Sequence, residues 1–125
     1  MSRLLWICLA GALGTGVRYL VGLWASRAFG SAFPYGTLAV NVVGCFLIAA
    51  VMHASLATAL VPPTLRLALT SGFLGGLTTY SSFNYETTAL AQRGQIAVAL
   101  ANVGITLIGC LAMGALGLWV ARRVT

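Results

Sequence analysis

Apolar residues dominate four stretches of the chain, at about 4–26, 36–60, 66–91 and 95–121. Each is close to the ~20 residues that an α-helix needs to cross a bilayer. The separators are short: SRAFGSAFPYG after the first stretch, VPPT after the second and AQRGQ after the third. Pro62 and Pro63 supply no backbone N–H, so no helix runs through that point. The pattern predicts an all-α integral membrane protein of four transmembrane helices, folded as one domain over residues 1–125. No soluble domain, long linker or low-complexity segment interrupts it.

Composition agrees. Of 125 residues, 60% are hydrophobic and 6% charged, against about 25% charged in a soluble domain. A water-facing surface has too few charges to form. Arg3 ahead of LLWICLAGALG resembles a signal peptide, but the apolar run continues through Val17 to Trp24, which is long for a cleaved segment. It reads as a first transmembrane helix. Cys8, Cys45 and Cys110 cannot all pair with one another, and none stands in a CxxC spacing, so they read as small packing residues.

All seven basic residues are arginines, and the net charge is +6. They are scattered at helix ends rather than gathered in a basic stripe, which anchors helices in a membrane and excludes nucleic acid as a partner. Four crossings put Arg3, Arg66, Arg122 and Arg123 on one side and Arg27 and Arg93 on the other. The positive-inside rule then favours cytoplasmic termini only weakly. Two readings follow from the charges: a single weakly specified orientation, or dual topology, in which identical chains insert both ways and pair antiparallel.

Polar residues inside the spans narrow the function, because ionisable groups in a bilayer are costly. Arg18 lies near enough to a helix end to snorkel. His53 reads as interfacial and receives no role. Glu86 is the one acidic residue of the chain. Asn41, in GTLAVNVVGCFLIAA, must find a hydrogen-bond partner; it is either interhelical glue or a pore-lining donor. Asn102, Thr106 and Cys110 recur every four residues and share one face of the fourth span. Packing and a permeation track explain that stripe equally well. The many glycines of the first, second and fourth spans read as close-packing positions.

GFLGGLTTYSSFNYE, residues 72–86, is the least membrane-like segment. Its glycines predict a break in the third helix, and carbonyls freed by such a break suit a cation while a half-helix N-terminus suits an anion. Tyr80 and Phe83 stand three apart, so their rings share a face and can turn positive edges toward an anion. Ser81 and Ser82 add hydroxyl donors.

GALGTGVRY, GTLAVNVVG and GFLGGLTTYSSF, in that order and followed by Glu86, resemble the signature elements of the Fluc (CrcB) fluoride channels. The resemblance covers essentially the whole chain. It implies a dual-topology antiparallel homodimer in the bacterial inner membrane, two fluoride pores, and a structural Na⁺ at the two-fold centre. It assigns the Na⁺-binding carbonyls to Gly75 and Thr78. The fluoride pathway falls to Asn41, Tyr80, Ser81, Ser82, Phe83 and Thr106. Glu86 is expected in an aqueous vestibule and Arg18 in a structural or vestibule-facing role. The chain departs from the family pattern at Tyr80, where Phe is usual, and at Cys110, where a hydroxyl residue often occurs.

Neutral donors and ring edges suit a small, strongly hydrated anion, since weak multiple sites let it leave as well as enter. The alternative is a small multidrug-resistance-type, proton-coupled exporter, which needs a membrane-embedded carboxylate in its first helix; this first helix has none. An enzyme is excluded by the lack of a nucleophile–base pair or metal cluster.

Overall fold

The structure, a computed structural model, describes residues 2–58 and 61–125. Among these, every regular element is helical. Helix α1 runs Ser2–Phe29 and α2 runs Tyr35–Ala57. The third span is composite: α3 (Pro63–Leu67), a π-helical stretch (Ala68–Leu74) and α4 (Gly75–Leu77) run on without interruption, then the chain extends at Thr78 and Thr79 and resumes as α5 (Tyr80–Gln92). Helix α6 runs Ile96–Val124. The expected end of the second span at residues 59–60 lies outside the described residues.

Three helices, α1, α2 and α6, are each long and apolar enough to cross a membrane. The two halves of the third span are about 22 Å and 20 Å long at ~1.5 Å per residue, so together they also suffice. Pro62 and Pro63 precede α3 as expected, with Pro63 at its first position. Gly94, at φ +77°, closes α5: its N–H bonds to the Ala91 carbonyl at 3.0 Å, and the Gln95 N–H bonds to that of Leu90 at 3.0 Å. This left-handed glycine cap turns the chain sharply into α6.

Glycine contacts give the direction of each crossing. A side chain at Gly72 would strike the backbone of Ile7, one at Gly76 that of Gly11, and one at Gly14 that of Phe73. Residue numbers rise together, so α1 and the first half of the third span run parallel. On the other side, Gly109 approaches Val42, Gly114 approaches the Cys45 carbonyl and Gly117 the Phe46 backbone. Helices α2 and α6 are therefore parallel as well, as alternate crossings must be.

These approaches correct the expected role of the segment GFLGG. Its glycines do not form the break; they lie within helix, and Gly72 and Gly76 let α1 approach backbone to backbone. The break comes after them, at Thr78–Thr79. The packing role holds also for Gly36 against Gly22 and Gly44 against Thr78, whereas Gly16 and Gly104 face open space.

A small core of Val40, Leu74 and Leu77 is packed by Val21, Leu47 and Phe73. Most large apolar side chains point the other way: Leu5, Leu9, Leu13 and Leu20 on α1, and Leu100, Ile108 and Leu111 on α6, are exposed. Such a surface requires an apolar solvent. At one end of α6, Arg123 lies 5.1 Å over the Trp119 ring. Near the other end of the bundle, Trp24, Phe29, Tyr35 and Phe33 form a chain of touching rings across the α1–α2 connection. Both arrangements suit a membrane interface.

Candidate functional site at the break in the third span

The break has a defined set of causes. At Thr78, both the backbone N–H (3.0 Å) and the hydroxyl (2.9 Å) donate to the Leu74 carbonyl, which ends the helix there. Thr79 is extended, with φ −154° and ψ 113°. Its N–H donates to Asn41 Oδ1 at 2.8 Å, and its carbonyl accepts from Asn41 Nδ2 at 3.1 Å. One amide side chain on α2 thus takes the Thr79 N–H out of the helical ladder and adds a second donor to the N-cap carbonyl of α5. The Thr79 hydroxyl then caps α5 by accepting from the Ser82 N–H at 3.2 Å.

This exchange frees specific carbonyls. In an unbroken helix the Gly75 carbonyl would accept from the Thr79 N–H, which is given to Asn41. The Thr78 carbonyl would accept from the Ser82 N–H, which is given to the Thr79 hydroxyl. The two oxygens expected from the sequence to hold a cation are therefore both relieved of their helical partners. Gly75 is exposed and lines the cavity described next.

Asn41, Tyr80, Phe83 and Thr106 line one cavity of about 380 Å³ together with Gly75 and Thr78. Its wall carries no charged residue. Asn41 and Thr106 are buried. The rings of Tyr80 and Phe83 lie 5.6 Å apart at 51°, on a common face as expected, with Phe83 buried and Tyr80 78% exposed. An amide carries two N–H donors; one of Asn41's goes to Thr79, leaving the other for the cavity.

The remaining predicted residues lie elsewhere. Ser82 borders a separate groove of about 270 Å³ with Arg18, Thr37 and Thr79. Ser81 is exposed and lines neither, its hydroxyl 3.2 Å from that of Thr79. Glu86 lines a third cavity, about 260 Å³, with Tyr85 and Arg93 near the α1–α2 connection. Its Oε1 accepts from the Thr37 hydroxyl at 2.8 Å, while Oε2 is buried without a partner among the described residues. Of the polar stripe on α6, Asn102 serves packing: it is 1% exposed and donates to Thr87 Oγ1 on α5 at 2.8 Å.

Two residues were not expected from the sequence. Thr79 organises Ser81 and Ser82, and its position ahead of a polar helix is a capping signal. Thr37 holds Glu86; it stands one turn before Asn41 on the same face of α2. Helices α2 and α5 are thus tied at Thr37–Glu86 and Asn41–Thr79.

Residues 5–118 match the family model described as CrcB-like protein, Camphor Resistance (CrcB). A protein of Anaeromyxobacter dehalogenans named fluoride-specific ion channel FluC is 60% identical over 112 residues, covering 90% of this chain and 89% of that one. Proteins of the same name from Sorangium cellulosum and Citrifermentans bemidjiense are 52% and 48% identical over 124 residues. These pairings cover 99% of this chain in both cases, and 98% and 100% of the relatives. With its apolar spanning helices, this is a multi-pass membrane protein, and the chain belongs to the CrcB family.

Proposed function

We propose that the chain is a passive, fluoride-selective channel of the bacterial inner membrane, working as an antiparallel homodimer with two pores. The observation that carries this reading is the Asn41–Thr79 clamp, which opens the third span beside an uncharged cavity lined by neutral donors and ring edges. The printed name of the relatives supports fluoride as the substrate.

Fluoride entering this cavity exchanges its water for the second N–H of Asn41, the edges of Tyr80 and Phe83, and the Thr106 hydroxyl, which turns from its long bond to Asn102 Oδ1 at 3.4 Å. Each is a weak site, which suits throughput. An arginine in that wall would hold the anion too firmly, and none is there. Ser81 and Ser82, gathered by the Thr79 hydroxyl, offer donors outside this cavity, Ser82 in the separate groove that it shares with Arg18, while Glu86 and Arg18 stand at the vestibules. The function is passage rather than reaction, so no enzymatic role is assigned.

The chain's oxygens fit a sodium ion, because the Gly75 and Thr78 carbonyls are neutral, hard donors without helical partners. One protomer offers these two, and a second copy related by a two-fold axis would double them. When bound, sodium supplies a positive charge near the pathway that the neutral wall lacks. The weak arginine bias between the two sides permits antiparallel pairing as well as a single orientation, and the family resemblance selects the former.

The exporter reading loses support, since α1 carries no carboxylate and Glu86 is tied to Thr37. Electrode recordings of fluoride and chloride efflux from proteoliposomes test the channel. No fluoride flux, or equal chloride flux, overturns it. Labelling a cysteine placed at the C-terminus tests the topology: both membrane sides are expected to react, and one-sided reaction excludes the antiparallel dimer.

A further inference from the structure

The cavity beside the break holds two side chains that permeation does not use. Cys45 and Cys110 both line it, and both are free and half-buried. Cys45 lies one turn beyond Asn41 on α2, and Cys110 one turn beyond Thr106 on α6. The parallel packing of these helices, set by Gly109 against Val42 and Gly114 against the Cys45 carbonyl, sets both cysteines against the same cavity. Two thiols from different helices thus share one wall of the space that Asn41, Thr106 and Tyr80 enclose.

We infer that Cys45 and Cys110 form a two-thiol site for a soft, linearly coordinating divalent cation of the mercuric type, and that the bound ion obstructs the cavity. Thiolates select soft metals. Two ligands are too few for zinc, which takes four. No third His, Cys, Asp or Glu completes such a set among the described residues.

The wall also decides the charge. Binding converts two S–H groups to two S–metal bonds and releases two protons, with no change of oxidation state. A divalent ion then yields a neutral bis-thiolate, whereas a monovalent soft ion leaves a net negative charge. In an uncharged, mostly apolar cavity the neutral product is favoured. A linear S–metal–S unit needs sulfurs ~4.6 Å apart at ~2.3 Å per bond. Cys45 and Cys110 line the same cavity from packed helices, and χ1 rotation sets the separation of their sulfurs.

Obstruction of flux rests on the channel reading, but binding does not, so the two are measured separately. The test uses the purified chain carrying Cys8→Ser, which removes the exposed third thiol outside the cavity. Mercuric chloride is titrated, and intact mass, proton release and alkylation by iodoacetamide are followed. One metal and two protons per chain are expected, with both thiols protected together. Cys45→Ser or Cys110→Ser, confirmed as folded by gel filtration, is expected to lose the joint protection, and zinc chloride to give none.

Two mercuric ions per chain, or alkylation indifferent to metal, overturns the site. So does a pair that resists alkylation until a reductant is added, since the thiols would then already be joined. In proteoliposomes, fluoride efflux of the Cys8→Ser protein is expected to fall about tenfold with mercuric chloride, and that of Cys8→Ser/Cys110→Ser to keep most of its own metal-free rate. Equal block of both shows that the ion acts elsewhere and overturns the obstruction. No fluoride flux before metal is added counts against the channel reading instead, and leaves the binding result to stand by itself.

Discussion

Asn41 holds Thr79 by both of its amide atoms, accepting from the Thr79 N–H at 2.8 Å and donating to its carbonyl at 3.1 Å. The pairing spans 38 positions of sequence and ties α2 to the point where the third span opens. Asn41→Asp removes the donor and sets a carboxylate against a backbone carbonyl. Fluoride efflux is expected to fall about tenfold or more, and thermal stability in detergent by ~1–3 kcal/mol for the orphaned carbonyl. Flux equal to that of the parent would remove Asn41 from the pathway.

The glycine approaches make a prediction about assembly rather than conduction. A Cβ at Gly76 would overlap the Gly11 carbonyl, and one at Gly14 the Phe73 carbonyl. Both clashes are with backbone, so no rotamer change relieves them. Gly76→Ala and Gly14→Ala are expected to cost ~1–3 kcal/mol each, read as a lower midpoint in fluorescence-detected thermal gel filtration. Unshifted midpoints would mean that α1 sits farther from the third span.

Thr37 and Glu86 form the second tie between α2 and α5. Thr37→Val leaves both carboxylate oxygens without a partner among the described residues, since Oε2 already has none. The single variant is expected to lose ~1–2 kcal/mol, and Thr37→Val combined with Glu86→Leu to recover part of it. A double-mutant cycle with no coupling would show that the contact is incidental.

Much of this was legible in the sequence, and the exceptions have physical causes. Hydropathy located α1, α2 and α6 as helices long and apolar enough to cross a membrane, and placed helix in the third stretch as well, because lipid imposes length and apolarity. It also predicted that Tyr80 and Phe83 share a face, as a helix requires. The position of the break was misplaced onto the glycines. Glycine weakens a helix, but here the helix ends where Asn41, 38 residues away, takes the Thr79 N–H. No local pattern displays such a partner. Asn102 and Thr106 read as one polar stripe and are hydrogen-bonded to each other, Thr106 Oγ1 donating to Asn102 Oδ1 at 3.4 Å, yet Asn102 donates to Thr87 on α5 while Thr106 lines the cavity. The stripe gave the helix face and left its neighbours undefined.

Tyr80 tests the aromatic contribution. Its ring contacts Phe83 at 5.6 Å and the side chain is 78% exposed. Tyr80→Phe keeps that ring and is expected to change fluoride efflux by no more than about twofold, whereas Tyr80→Ala removes the ring edge and lowers it about tenfold. Equal rates for the two variants would take the ring out of the pathway.

The most direct measurement is efflux from proteoliposomes loaded with both fluoride and chloride, with charge balanced by a potassium ionophore and no proton gradient. A passive fluoride channel empties the fluoride and retains the chloride, at a rate that an imposed pH gradient does not drive. Retained fluoride, matching release of chloride, or release that appears only with a proton gradient contradicts the mechanism built on the Asn41–Thr79 break.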